Sequence, residues 1–131
     1  MTGLDTNVLV RYFVKDDKKQ GDRAASFIRK TIDSGESCYI NYIVLCELVW
    51  VLESAYRFKK YEIVDVLEKL LITKQFEIEA KDTVRQALNE YKQGKSDLSD
   101  YLIGWLNRSK GCDSTATFDR DLRTCENFHI L

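Results

Sequence analysis

The sequence predicts an α/β fold in which helices cover a short, mostly parallel sheet. Two observations predict it: short apolar runs alternate with longer segments of helical periodicity, and turn-forming residues separate the two kinds of segment. Strands that alternate with helices in this way are typical of parallel sheets, because each connection crosses over through a helix. The 131 residues contain no proline, repeat or low-complexity tract, so we expect a single domain over residues 1–131.

Strands are expected at the short apolar runs, and helices where apolar residues recur every three or four positions. We place strands at residues 1–4, 37–40, 76–78, 114–117 and 129–130. Helices fit residues 18–32, 43–55, 61–71, 82–91 and 97–108, and a further helix follows a cap at Thr6 and Asn7. In the helix at residues 18–32 the buried stripe is expected to include Ala24, Phe27 and Ile28.

The composition is that of a self-folding globular protein, because 44% of the residues are apolar and 11% are aromatic. The formal net charge of −1 does not indicate a polyanion-binding protein, so any nucleic-acid contact must come from a local patch. One basic stretch runs from Arg11 to Lys30, where seven Lys and Arg residues stand against three Asp residues. A solvated helix surface would explain the same charges.

The four cysteines and the lone His129 show no metal-finger spacing, which argues against a zinc site. Free thiols of this kind are typical of a reducing compartment. No basic-then-apolar leader opens the sequence, and no apolar run approaches the ~18 residues that a membrane span needs. We therefore expect a cytoplasmic protein with free cysteines.

Glu47 stands in the middle of the run IVLCELVWVLESA, which is apolar on nearly every side of a helix. Such a helix is expected to be buried, with Trp50 in the core. An ionised carboxylate there costs several kcal/mol unless it is paired, so a cation or a metal should meet Glu47. The alternatives are a salt bridge to an arginine, or a helix rotated so that Glu47 reaches solvent.

Asp5 ends the first predicted strand, and Asp119 follows the strand at residues 114–117. In a parallel sheet both would emerge at the carboxyl ends of strands, where open α/β sheets place their sites. Aspartate is also common as a turn or cap residue, which is the alternative for each position taken alone.

Asp97 and Asp100 lie three residues apart at the start of a predicted helix, so both are expected on one face. Gly104, one turn further, would leave room beside Asp100. The alternative is that both acids simply favour the helix dipole, with Ser96 as a cap. Thr6 and Thr117 could orient carboxylates or equally serve capping and packing.

The weight of these observations comes from their convergence. Carboxylates from separate segments, without histidine or cysteine ligands, form the hard oxygen set that Mg²⁺ or Mn²⁺ prefers. A bound ion can activate water for attack on a phosphodiester, which is nuclease chemistry. The predicted ligands are Asp5, Glu47, Asp97, Asp100 and Asp119.

Over essentially its whole length the chain resembles the PIN-domain family, and within it the VapC-type toxins of prokaryotic toxin–antitoxin pairs. The resemblance rests on LDTNVLVRYF at residues 4–13, VLCELVWVL at 44–52, SDLSDYLIG at 96–104 and TFDRDL at 117–122. It implies a three-layer α/β/α sandwich and Mg²⁺- or Mn²⁺-dependent endonucleolytic cleavage of RNA. Asp5, Glu47, Asp100 and Asp119 fall on the acidic motif positions, and Asp97 matches an additional acid. Asp121 is an alternative to Asp119 as the fourth acid. Before the helix that carries Glu47, this chain has Asn41 and Tyr42 where relatives often have a proline.

The resemblance also implies a partner, a small VapB-like antitoxin that inserts a peptide into the acidic groove. Such a peptide should carry arginine or lysine, because a cation offsets the repulsion among the acids. The helices at residues 43–55 and 61–71 are the candidate docking surface, and burial against the domain's own sheet is the alternative. We also expect a homodimer. The competing functions are a PIN-like module that binds RNA or protein without cleaving, and a phosphoacceptor receiver domain, which would need a second acid near the first strand.

Overall fold

The structure, a computed structural model, describes all 131 residues. It divides into two compact units, residues 1–79 and residues 80–131. The elements alternate between strands and helices, as the sequence predicts, and six α-helices account for most of the chain. The single domain expected from the sequence stays a prediction.

The first unit contains a three-stranded parallel sheet, in which β1 (Thr2–Gly3), β2 (Cys38–Ile40) and β3 (Phe76–Ile78) lie in that order. Thr2 lies opposite Cys38, and Cys38 lies opposite Phe76, so β2 is the central strand. Each pair of neighbouring strands is joined through helices, which is the connection that parallel pairing requires. The elements of this unit are β1 (Thr2–Gly3), α1 (Thr6–Val14), α2 (Lys18–Asp33), β2 (Cys38–Ile40), α3 (Tyr42–Ser54), α4 (Lys60–Ile72) and β3 (Phe76–Ile78).

The core of the first unit is built from aliphatic side chains. Leu45, Leu48 and Leu52 of α3 are completely buried, and burial of one such side chain contributes about 1.5–3 kcal/mol. Helix α1 packs against both α2 and α3, and α4 packs against β3. Tyr12 of α1 meets the ring of Phe76 edge to face, with the ring centroids 6.4 Å apart. These contacts hold α1 against the sheet, and the N–H of Leu4, next to Asp5, donates to the carbonyl of Tyr39 in β2 at 2.9 Å.

The second unit pairs two helices with a two-stranded parallel sheet. Its elements are α5 (Lys81–Gln93), α6 (Leu98–Ser109), β4 (Thr115–Thr117), a short 3-10 helix (Arg120–Leu122) and β5 (Phe128–Ile130). Thr115 lies opposite Phe128, and Thr117 lies opposite Ile130. Helices α5 and α6 pack together through their buried apolar faces, which include Leu88, Tyr91 and Leu102.

The predicted elements agree with the observed ones to within about two residues, and the α/β class with parallel pairing is confirmed. The structure groups the five strands into two sheets, whereas the sequence predicts one short central sheet. Every strand pair is parallel.

Gly104 does not leave room beside Asp100, contrary to the sequence-based expectation. Gly104 is buried, and a Cβ atom there would lie 2.7 Å from the ring of Phe128 and 3.1 Å from the side chain of Asn127. The absent side chain therefore lets the last strand, β5, approach α6.

The four cysteines are free, as predicted, with Cys38 buried and Cys112 exposed. None of the helices combines the length and the apolar character that crossing a membrane requires.

Candidate active site

Asp5 lies just beyond β1 and caps the first helix. Its backbone is extended, and its Oδ1 accepts a hydrogen bond from the backbone N–H of Thr6 at 2.8 Å. The predicted cap at Thr6 and Asn7 is therefore wrong by one residue, because both already belong to the helix. The Asp5 side chain is exposed, and its second carboxylate oxygen accepts no hydrogen bond. Asp5 thus combines the structural role of a cap with a free oxygen for a ligand.

Glu47 is exposed on α3, so the expectation that this helix is buried on all sides is wrong for one face. Ile43 and Trp50 share that face and are 68% and 69% exposed, which also corrects the prediction of a core Trp50. The helix presents a carboxylate between two large apolar side chains. Its entry is set by Asn41, whose side chain accepts the N–H of Val44 at 2.9 Å. Because Glu47 is exposed, the expected cost of burying its carboxylate does not arise.

Thr6 joins the two acids of the first unit. Its hydroxyl donates a hydrogen bond to Oε1 of Glu47 at 2.8 Å, while its N–H is bound to Asp5. Thr6 is itself 9% exposed, so its position is fixed by packing. The sequence-based suggestion that Thr6 orients carboxylates is supported by this contact. One buried residue therefore holds Asp5 and Glu47 in a defined relation.

Asp97 and Asp100 stand at the start of α6, and Asp97 is its N-cap. The N–H of Asp97 donates to Oδ2 of Asp100 at 3.2 Å, so the two acids lie on one side of the first turn as predicted. The expected cap at Ser96 is therefore wrong by one residue, because Asp97 holds the N-cap position. The hydrogen bond from Asp97 occupies one carboxylate oxygen of Asp100 and leaves the other.

Asp100 is half-buried, and the charges of two other carboxyl groups act on it. Burial raises the pKa of Asp100, and repulsion from Asp97 and Asp119 raises this pKa further, while the hydrogen bond from the Asp97 backbone opposes the shift. Carboxylates that repel one another in this way would gain from a cation between them. Asp97 and Asp119 thus lie near enough to Asp100, within the second unit, for their charges to affect its pKa.

Asp119 follows β4 and caps the short 3-10 helix. Its N–H donates to the hydroxyl of Thr117 at 3.1 Å, and its Oδ1 accepts the N–H of Asp121 at 3.0 Å. Asp121 points elsewhere, since it lines a cavity of about 320 Å³ together with Lys95 and Arg123. Asp119 is one of the two acids whose charge raises the pKa of Asp100, and Asp121 is not. The choice of Asp119 over Asp121 as the fourth acid stays a prediction.

The donor set fits a hard divalent cation. Every candidate ligand is a carboxylate, and none of the five forms a salt bridge. No group of three or more Asp, Glu, His or Cys side chains is already gathered as a metal cage. Mg²⁺ tolerates this arrangement, because it usually keeps several waters and binds through one or two carboxylates. That Asp5 and Glu47 bind the same ion as the acids of the second unit stays a prediction.

Comparison with known proteins agrees with the architecture. The family model described as PIN domain matches residues 4–126. The chain belongs to the PIN-domain family. It is also 26% identical over 117 residues to a protein named VapC ribonuclease from Aquifex aeolicus (strain VF5), an alignment that covers 89% of this chain and 86% of that protein. The resemblance noted in the sequence is thereby confirmed.

A groove beside Asp5 is the feature of this PIN domain that sequence reasoning missed. The cavity has a volume of about 850 Å³ and is lined by residues of α1 and α2 and by the segment between β1 and α1. Phe27, which was expected in the buried stripe of α2, is 45% exposed and lines this cavity. The sequence does contain a sign of this groove: Phe27 lies four residues after Arg23 and three before Lys30, so all three share one helical face.

Proposed function

We propose that this PIN domain is a metal-dependent endoribonuclease and the toxin of a type II toxin–antitoxin pair. The observation that carries the proposal is the half-buried Asp100, crowded by Asp97 and Asp119 and balanced by no basic side chain. Acids left unneutralised in this way favour a metal site over a structural ion pair. The similarity to the Aquifex aeolicus VapC ribonuclease supports RNA as the substrate.

In this proposal the protein holds Mg²⁺ or Mn²⁺ and positions the RNA backbone, and no side chain acts as a nucleophile. Asp5, Glu47, Asp100 and Asp119 would hold the ion directly or through water, with Asp97 as an additional ligand. When bound, the ion supplies Lewis-acid chemistry that activates water and offsets charge on the phosphodiester. Thr6 fixes the orientation of Glu47, and the cap contact fixes one oxygen of Asp5.

The deciding experiment measures cleavage of an RNA and of a DNA of the same sequence, with and without Mg²⁺ or Mn²⁺. We expect metal-dependent cleavage of the RNA by the wild-type chain. Asp5→Asn and Asp100→Asn should abolish cleavage and leave the circular dichroism spectrum unchanged. Asp33→Asn and Asp113→Asn change exposed acids outside the site, serve as matched controls and should cleave normally. An unaltered rate in either site variant would defeat the assignment, and RNA binding without any cleavage would favour the non-catalytic module.

A small antitoxin is the proposed partner, and its docking surface includes the exposed face of α3. Ile43 and Trp50 flank Glu47 there, and Tyr61 of α4 is 70% exposed, so burial against the domain's own sheet does not cover them. A peptide with a basic residue between apolar ones would match this face. Co-expression with the product of a neighbouring small open reading frame tests the idea. If that product does not co-purify and the nuclease activity of the mixture is undiminished, the proposed partner is wrong. The proposed nuclease activity would be unaffected by that result.

The remaining parts of the proposal concern the state of the protein in the cell. We propose that residues 1–131 act as one domain, that the chain forms a homodimer and that it works in the cytoplasm, where its RNA substrate lies. Light scattering of the purified protein tests the dimer. A single cooperative unfolding transition seen by two different probes tests the single domain.

A further inference from the structure

The groove between α1 and α2 has a defined direction. Arg11 of α1 donates to the side chain of Gln20 of α2 at 2.6 Å, and both residues line the cavity. From this contact α1 leads back to Asp5, while α2 leads on to Phe27 and Lys30, and these residues line the same cavity. The groove therefore connects the basic, aromatic face of α2 with a proposed metal ligand.

The charges of the groove favour an anion. The side chains of Arg23 and Lys30 form no ion pair or hydrogen bond and are exposed. Two other charged residues that line the groove, Arg11 and Asp22, form ion pairs. Arg11 pairs with Asp16 at 3.0 Å, and Asp22 lies 4.0 Å from Lys18. Asp5 is thus the one lining acid without a cationic partner.

Phe27 lies between the two free cations on the surface of α2. The helix buries Gly21, Ala24 and Ile28, so Phe27 does not belong to its core side. An exposed aromatic ring between cations can stack an unpaired base while the cations contact the neighbouring phosphates. A base within a duplex has no free face for such stacking, so this arrangement suits a single strand.

We propose that the groove between α1 and α2 binds single-stranded RNA, with Phe27 stacking a base and Arg23 and Lys30 contacting phosphates on the path to Asp5. A basic peptide of the kind expected for the antitoxin would be repelled by the two free cations, which is why RNA is the occupant. The inference rests on the proposed function, because it names the substrate subsite of the same active site.

Binding is measured by fluorescence anisotropy with a labelled single-stranded RNA of about 12 nucleotides, in EDTA so that cleavage does not interfere. Phe27→Ala should weaken binding about tenfold, and Phe27→Trp should restore it. Arg23→Gln and Lys30→Gln should each lower the slope of log affinity against log salt by about one. Arg29→Gln on another part of α2 and Ile72→Ala at the end of α4 are matched controls outside the groove, and both should bind as the wild type does.

Wild-type affinity and salt slope in Phe27→Ala, Arg23→Gln and Lys30→Gln would overturn the inference. The inference would also be wrong if the wild type bound no RNA. It would be wrong as well if the variants kept RNA binding but no longer co-purified with the proposed antitoxin, because the groove would then bind a protein. The failures are distinguishable. If the wild type cleaves RNA but the groove variants bind it normally, only the proposed subsite is wrong. If binding depends on the groove but no cleavage occurs in Mg²⁺, only the proposed nuclease activity is wrong.

Discussion

The hydroxyl of Thr6 donates a hydrogen bond to Oε1 of Glu47 across 2.8 Å, and the two residues are 41 positions apart in the chain. The contact ties the start of α1 to the middle of α3. Because Asp5 is bonded to the N–H of the same threonine, Thr6 sets the relative placement of two proposed metal ligands.

Thr6→Val should therefore reduce activity more than stability. Valine keeps the shape of threonine but removes the donor, and loss of a residue that orients a metal ligand typically costs about 10–100-fold in metal affinity or activity. The rate of RNA cleavage at a series of Mg²⁺ concentrations measures the effect. Thr6→Ser retains the hydroxyl and should keep most of the rate. Equal rates in Thr6→Val and the wild type would show that the contact does not position Glu47 for catalysis.

Gly104→Ala should destabilise the protein by about 1–3 kcal/mol, because the new methyl group would overlap the ring of Phe128 in a packed interior. Urea denaturation followed by circular dichroism gives the free energy of unfolding. Lys110→Ala, just beyond the same helix and exposed, should change it by less than about 0.5 kcal/mol. A fully stable Gly104→Ala variant would mean that β5 can move away from α6 at no cost.

Acid should weaken the cluster formed by Arg11, Asp16 and Tyr56. The hydroxyl of Tyr56 donates to Asp16 at 2.9 Å, and this bond, followed by the charge of Arg11, holds the pKa of Asp16 below its ordinary value of 3.8, against an opposing effect of burial. A carboxyl pKa that is lower in the folded state stabilises the fold above 3.8, and this contribution is lost as the pH falls through the folded pKa. Thermal midpoints over a pH series should fall more steeply for the wild type than for Tyr56→Phe. Parallel curves would contradict this linkage.

Cys125 should react with iodoacetamide much more slowly than the exposed Cys112. Burial, and then the neighbouring Glu90, raise the pKa of Cys125 to about 11, so almost none of it is thiolate at about pH 8. Mass spectrometry of peptides after timed labelling measures both rates. Glu90→Gln should speed up labelling of Cys125, since it removes the negative charge. Equal labelling of the two thiols in the folded wild type would be inconsistent with the buried environment.

Trp50→Ala should lower the yield of the co-purified antitoxin while leaving the stability of the free chain within about 0.5 kcal/mol of the wild type, because the indole is 69% exposed. The measurement is the ratio of partner to chain after co-expression. Leu131→Ala removes another exposed apolar side chain and is the control. An undiminished ratio would place the partner away from the Ile43 and Trp50 face.

Local sequence patterns specify most of the helices and strands of this protein, and they place two of the proposed ligands on one helical turn. Periodicity and caps depend on residues a few positions apart, so α2 and β3 are predicted almost to the residue. Asp97 and Asp100 share the first turn of α6 because a spacing of three fixes that relation within a helix.

Which side chains are covered depends on how the helices and strands pack against one another. Helix α3 is apolar on nearly every side, so its sequence could not show that Ile43, Glu47 and Trp50 remain exposed. Phe27 fits a buried stripe by period, but the packing of α2 buries Gly21, Ala24 and Ile28 instead. The sequence likewise could not show that the ring of Phe128 occupies the space beside Gly104. Burial depends on neighbours distant in the chain, and local spacing carries no information about which neighbours those are.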